Sequence, residues 1–173
     1  MEFFEVLDSR HSVKRFKDAD VEEAKLLKIL EAANSAPSAG DLQAYEIAVV
    51  KDKGRKEKLA SAAYEQEFIA HASVVLVFLA NPERSSRKYG RRGAELYCIQ
   101  DAAIAAAYAQ IAATALGLAC RWVGGFDERE ISRAINAPQG LRPVSILPIG
   151  YAAEQPTATP RRGLDELIHR DRF

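Results

Sequence analysis

Arg10-His11-Ser12-Val13-Lys14 packs two cations, an imidazole and a hydroxyl into five residues. A phosphate needs several donors converging from one side, with Arg able to bind bidentately and Lys supplying a compact charge. The same residues suit a solvated basic turn, and taken alone they favour it. Arg161-Arg162, near the C-terminal end, is a second basic pair that is equally plain by itself. Pro37-Ser38-Ala39-Gly40-Asp41-Leu42-Gln43 combines small residues, which let backbone approach a flat ring, with donors and acceptors for a heterocycle's edge. Helix termination and a turn explain Pro37, Ser38 and Gly40 just as well. Trp122-Val123-Gly124-Gly125-Phe126 is either a turn after a strand or a place where main chain must come close to a ligand.

The elements that must position these segments follow from hydrophobic spacing. Phe3, Phe4, Val6 and Leu7 predict a short helix that Ser9 to Ser12 terminate. Asp20 is a candidate cap for a second helix with apolar positions Ala24, Leu27, Leu30 and Ala33, stopping before Pro37. Ile47 to Val50 is a short β-branched strand, and Lys53 to Tyr64 an exposed charged helix. Ser73 to Leu79 is a continuous apolar run, as expected of a strand covered on both faces. The polar, basic stretch Pro82 to Gly93 reads as a loop or lid. Ala94 to Leu116 predicts a long Ala-rich helix for a core or a subunit interface. Cys120 to Val123 is a strand, Asp127 and Glu130 resemble a capping box for a helix through Ile135, and Val144 to Ile149 is the last strand. From about residue 152 three prolines give an extended tail with an amphipathic end at Leu164 to Ile168. Strands and helices alternate around one sheet, so the class is α+β or α/β in a single domain over residues 1–173.

Composition removes several classes of function. The 173 residues are 48% hydrophobic and 28% charged, which suits a folded globular domain able to bury roughly 70% of its unfolded surface. Lys+Arg and Asp+Glu are both 24, so no field of one sign recruits nucleic acid or an anionic membrane. The start Met-Glu-Phe-Phe-Glu lacks the basic and apolar regions of a signal peptide, and Ala102 to Leu118 is too Ala-rich for a membrane span. Cys98 and Cys120 form neither a CxxC nor a zinc pattern; isolated thiols fit a reducing cytoplasm and read as buried small hydrophobes. There is no GxGxxG after a strand, no P-loop and no GxSxG elbow, and His11, His71 and His169 are not at metal-ligand spacing.

The four segments, in this order, resemble the nitroreductase family of FMN-dependent oxidoreductases, and the resemblance runs from about Arg10 to Arg172. It implies an α+β nitroreductase-like fold: a central, mainly antiparallel sheet flanked by helices, with a long buried helix at the interface of a homodimer that holds FMN. Arg10, Ser12 and Lys14 match the family's Arg-x-Ser-x-Lys/Arg cradle for the FMN phosphate, with His11 where a second Arg is usual. Arg161 and Arg162 are carried over together as the basic pair closing on that phosphate. The family form Pro-Ser-x-x-Asn-x-Gln-Pro-Trp matches at Pro37, Ser38 and Gln43, with Ala39 and Gly40 in its variable positions, and implies contact with the isoalloxazine held mainly by the partner. This chain departs from it at Asp41, Ala44 and Tyr45. Asp41 either faces the flavin, making its reduction harder, or caps a turn. Gly124 and Gly125 imply a backbone N–H directed at flavin N5.

The implied activity is ping-pong hydride transfer from NAD(P)H through FMN to an oxidised small molecule such as a nitroaromatic or quinone, with no side chain assigned as catalytic and no metal. Tyr89, Arg91, Arg92 and Tyr97 are candidates for the acceptor's rim. The alternatives are a relative with other flavin chemistry such as reductive dehalogenation, a flavin-binding protein without turnover, and a structural dimer that binds nothing.

Overall fold

The apolar run becomes the middle of the molecule. The computed structural model describes residues 2–156 and 158–173. Its elements in chain order are α1 (Phe3–Ser9), α2 (Glu23–Asn34), a 3-10 turn (Ala39–Asp41), β1 (Tyr45–Val50), α3 (Lys53–Ala62), α4 (Phe68–His71), β2 (Val74–Ala80), α5 (Pro82–Arg92), a π-helical turn (Gly93–Tyr97), α6 (Cys98–Ala115), β3 (Ala119–Cys120), α7 (Glu128–Ile135), β4 (Arg142–Gly150) and α8 (Leu164–Leu167).

All of β2 is buried, and its side chains divide by the period of two. Val74, Leu76, Phe78 and Ala80 enter one core with Leu26, Ile29 and Ala33 of α2 and the alanines of α6. Val75, Val77 and Leu79 enter a second core with Leu59 of α3, Phe68 and Ile69 of α4 and Ile131 of α7. The strand order is β1-β2-β4-β3, with every neighbour antiparallel: Tyr45 opposes Ala80, Val74 opposes Ile149, and Ala119 opposes Gly150. Three layers with an antiparallel middle make the class α+β.

Ala102, Ala105, Ala106, Ala109 and Ala113 face the first core, so α6 can approach the sheet closely. Its other side carries Ile104 and Tyr108, exposed by 36% and 40%, and α1 carries Phe3 and Phe4, exposed by 60% and 76%. These side chains leave an apolar surface that a single copy does not cover. Both thiols are buried, as expected, and burial pushes the Cys120 thiol up to about 11, keeping it protonated at neutral pH.

Several boundaries differ from expectation for local reasons. Asp20 does not cap α2. The Ser73 hydroxyl accepts the Val21 N–H at 2.7 Å, keeping that segment out of the helix, and Glu22 takes the cap position. The charged helix α3 stops at Ala62, because Tyr64 and Glu65 both adopt φ of 58°. Pro82 to Gly93 is not a loop: Asn81 accepts the Arg84 N–H at 3.0 Å, Pro82 opens the first turn, and α5 follows. The long helix is broken at its start by the π turn, so α6 proper begins at Cys98. The third strand is shorter than Cys120 to Val123, with Val123 returning to β4 in an isolated bridge to Ile146. Asp127 caps α7, accepting from the N–H groups of Arg129 and Glu130 at 2.8 and 3.0 Å, but the capping box is not closed: the Asp127 N–H donates to the Ala62 carbonyl at 2.9 Å and Glu130 pairs with Arg133.

Candidate functional site

The basic segment forms an extra edge beside β3. Ser12 bridges Cys120 in parallel, the Val13 N–H donates to the Cys120 carbonyl at 3.3 Å, and Phe16 bridges Ala152. An extended chain alternates, so Val13 is buried at 2% exposure while Ser12 and Lys14 face solvent on the other side. His11 is half-buried and lines a cavity of about 220 Å³ with Val13, Thr114 and Ala119. Glu154 fixes the segment from the tail: its Oε1 accepts the N–H groups of Lys14 and Arg15 at 2.7 and 3.1 Å. Sequence reasoning missed this residue, because the pairing joins chain positions nearly the whole protein apart.

Those two N–H groups, Lys14 first, hold the Glu154 carboxyl below its usual value. A depressed folded value means the tether is fully present above the unfolded carboxylate range and is lost as pH falls through the folded one. Glu154→Ala is expected to speed amide exchange at Lys14 and Arg15 near pH 6, where wild type is protected. Wild type should loosen there only at acid pH, below the ordinary carboxylate range. Equal protection in the variant would remove Glu154 from this role.

Gly124 and Gly125 lie on the continuation of the same edge. Neither has a positive φ, and a Cβ on Gly125 would meet nothing within 4 Å. Backbone conformation and internal packing therefore do not demand glycine here. Gln66 reaches the pair from the loop after α3, its Nε2 donating to the carbonyls of Ala63 at 2.8 Å and Gly125 at 3.3 Å. Arg121 stands between the two segments, its guanidinium over the Phe68 ring at 5.4 Å. The Arg121 Nε is buried without a hydrogen-bond partner. Neither Gln66 nor Arg121 belongs to a motif that reading along the chain picks out.

Pro37 to Gln43 is built on Asp101, a carboxylate 2% exposed inside the Ala-rich helix. Asp101 accepts the Ala39 N–H at 2.9 Å and the Ala44 N–H at 3.4 Å, and the Ser38 hydroxyl accepts the Gln43 N–H at 2.9 Å. A lone acid among alanines was the available signal for it. Gly40, Asp41 and Gln43 have φ of 59°, 57° and 48°, a left-handed run that these internal acceptors sustain. The Asp41 side chain is exposed and makes no hydrogen bond among the described residues, so it does not cap a turn.

α5 lies on this loop. Arg84 donates to the Leu42 carbonyl, and a Cβ on Gly40 would run into the Tyr89 hydroxyl and the Lys88 ammonium. Tyr89 stacks edge-on against Tyr97 at 5.1 Å, and the Arg92 Nε donates to the Tyr97 hydroxyl at 3.0 Å. Arg91 is paired with Glu95 at 2.7 Å. Arg161 and Arg162 bond locally, to Thr159 and to Glu166, so within one chain they are not brought to Arg10.

The two halves of the candidate site sit on opposite edges of the sheet. The Arg10–Lys14 segment adjoins β3, whereas Pro37–Gln43 leads into β1 on the far side of β2 and β4. At ~4.8 Å per strand spacing they are on the order of 15–20 Å apart laterally. Among the described residues no group of three His, Cys, Asp or Glu is placed to hold a metal ion, and no helix is long and apolar enough to cross a membrane.

The model described as "Nitroreductase family" matches residues 7–67 and 56–151. The FMN reductase [NAD(P)H] of Bacillus subtilis is 29% identical, over 99% of this chain and 74% of its own. The oxygen-insensitive NADPH nitroreductase of Salmonella typhimurium is 26% identical, over 98% of this chain and 73% of its own. The structure of a nitroreductase family protein from Clostridium novyi superposes with a TM-score of 0.80 at 30% identity, covering 100% of this chain and 95% of that one.

Proposed function

The chain belongs to the nitroreductase family and is an NAD(P)H-dependent flavin oxidoreductase with FMN as its cofactor, and from that premise we propose that two copies assemble each site and pass hydride from NAD(P)H to a nitroaromatic or quinone, in ping-pong order. The observation that carries the site is the shared edge. Ser12 and Lys14 project from a strand pinned to Cys120, and four residues on lies a glycine pair with no internal reason to be glycine. At ~3.3 Å per residue the interval from Cys120 to Gly124 is at most roughly 13 Å, on the scale of FMN from phosphate to ring.

Bound FMN supplies the hydride-accepting and hydride-donating chemistry. Arg10, Ser12 and Lys14, with His11 beside them, hold the phosphate, and Arg161 and Arg162 close over it. Gly124 and Gly125 bring main-chain N–H groups to the ring. Pro37, Ser38, Ala39, Gly40, Asp41 and Gln43 of the partner copy cover the ring's other side, with Tyr89, Arg92 and Tyr97 rimming the acceptor. This reading assigns no side chain as general acid. The uncovered apolar side chains of α1 and α6 are the surface through which the copies join.

The test is an absorption spectrum of the purified protein with anaerobic addition of NADH or NADPH. A flavin band that bleaches with either nucleotide is the expected result. A yellow protein that neither reduces would leave binding without turnover. A colourless protein that takes up no added FMN would overturn the reading.

Asp41 bears on the potential. Its carboxylate only accepts hydrogen bonds and is unengaged in the chain, so beside the partner's ring it disfavours the extra negative charge of reduction. Asp41→Asn is expected to raise the flavin midpoint potential, with an unchanged fold because Asn tolerates the same left-handed backbone. Redox titration showing an equal or lower potential would exclude it.

A further inference from the structure

The extended segment after Lys14 forms one wall of a cavity of about 780 Å³. Phe16 turns inward, packing on the second core and on Gly150, where an added Cβ would stand 3.0 Å from its ring. The period of two therefore sends its neighbours Arg15 and Lys17 the other way, and both line the cavity. The passage from β1 into α3 supplies a second wall, with Lys51, Lys53 and Lys56. The turn from α4 into β2, at Ala72 and Ser73, supplies a third.

The charge gathered here is out of keeping with the rest of the chain. The protein is neutral, with 24 cations and 24 anions, yet five lysines and one arginine, counting Lys14, line this cavity against Asp18 and Asp20. Lys51 is matched by Glu23, whereas among the described residues the side chains of Lys17 and Lys53 make no hydrogen bond and no ion pair. Lys56 is half-buried. Its ammonium donates to the Ala72 carbonyl at 2.6 Å and to that of Ser73 at 3.5 Å, and its third proton has no acceptor among the described residues. Burial pushes this ammonium below the usual lysine value, against the pull of Asp20 and Asp52. A concavity lined by one sign of charge concentrates the field and draws in a counter-ion.

We propose that this cavity binds the diphosphate group of a small phosphorylated molecule, at a site separate from the one assigned to flavin. Compact ammonium charges with several donors each suit phosphate oxygens, while the planar fork that matches a single carboxylate occurs once, at Arg15. The cations come from two walls, Arg15 and Lys17 on one and Lys53 and Lys56 on the other, so the fitting anion has more than one charged centre. The volume lies within the roughly 300–1,000 Å³ of small-molecule sites, which leaves room for a nucleoside beside the diphosphate. A bound diphosphate relieves the repulsion among the lysines and accepts the free proton of Lys56. The proposal needs neither flavin nor a second copy, and Lys14 alone is common to the two sites.

The experiment is calorimetric titration of FMN-saturated protein with inorganic pyrophosphate and with ADP, so that the segment from Arg10 to Lys14 is already engaged. Both probes are expected to bind at one site per chain. Equal affinities would assign recognition to the diphosphate alone, and tighter ADP would identify a nucleotide as the ligand. Lys17→Gln with Lys53→Gln, both exposed, should weaken binding about tenfold or more, with melting temperature and FMN content unchanged. Lys28→Gln with Arg129→Gln removes the same charge from positions that do not line the cavity, and should weaken binding by no more than about twofold. Lys56→Gln keeps an N–H donor and should also weaken binding; should it fail to fold, the Lys17 and Lys53 pair carries the comparison. Absence of binding at millimolar probe, equal weakening by the two pairs of substitutions, or release of FMN by pyrophosphate would overturn the site. A protein that takes up no FMN would instead defeat the flavin reading, and the same variants titrated without FMN would still test the cavity.

Discussion

Replacing Asp101 by alanine is expected to cost about 2–4 kcal/mol of stability and to abolish FMN retention. The carboxylate is 2% exposed and accepts from Ala39 and Ala44, one of them fully buried, so its removal strands two backbone donors away from water. The loss is held below the sum of two full penalties because a buried carboxylate carries its own desolvation cost, which its removal relieves. The loop it anchors contains the left-handed positions Gly40, Asp41 and Gln43, and Asp101 holds both of its ends from α6, alongside the Ser38–Gln43 bond that crosses it. Asp101→Asn, which keeps one acceptor, should lose about half as much. Urea unfolding at constant m-value measures the change. A midpoint within error of wild type for the alanine variant would show that Asp101 is not the loop's anchor.

How much of this was open to reading along the chain differs by element. β2 was legible because burial on both faces leaves an uninterrupted apolar run, and α7 because a short-range cap declares itself within four residues. α5 was not, since it has no apolar stripe. Its buried residue is Ser85, and it is set by the Asn81 cap, Pro82 and the close packing of Gly93 on Ser85. The motif residues of the site were visible as residue types, yet their arrangement on two edges was not, because strand order is a long-range property. The residues that position them fared worst. Glu154, Gln66 and Arg121 act on partners distant in sequence, and Asp101 was passed over although an acid among alanines was the available signal.

That arrangement yields a prediction with a sharper outcome than any single substitution. Arg10→Ala with Lys14→Ala damages the phosphate half, and Ser38→Ala with Gln43→Ala damages the ring half. Removing two charge-assisted phosphate contacts should weaken FMN binding about a hundredfold or more, and each double variant alone should be nearly colourless. Mixed dimers, made by co-expression with two different affinity tags, pair an undamaged phosphate edge from one copy with an undamaged ring loop from the other. They therefore contain one intact site and one site damaged on both sides. The expected stoichiometry is one FMN per mixed dimer, bound with wild-type affinity and reducible by NAD(P)H. Were each site confined to a single chain, every chain in the mixture would still carry its own lesion, and no tight site could reappear. Absorbance titration of the doubly tagged species decides between the two arrangements.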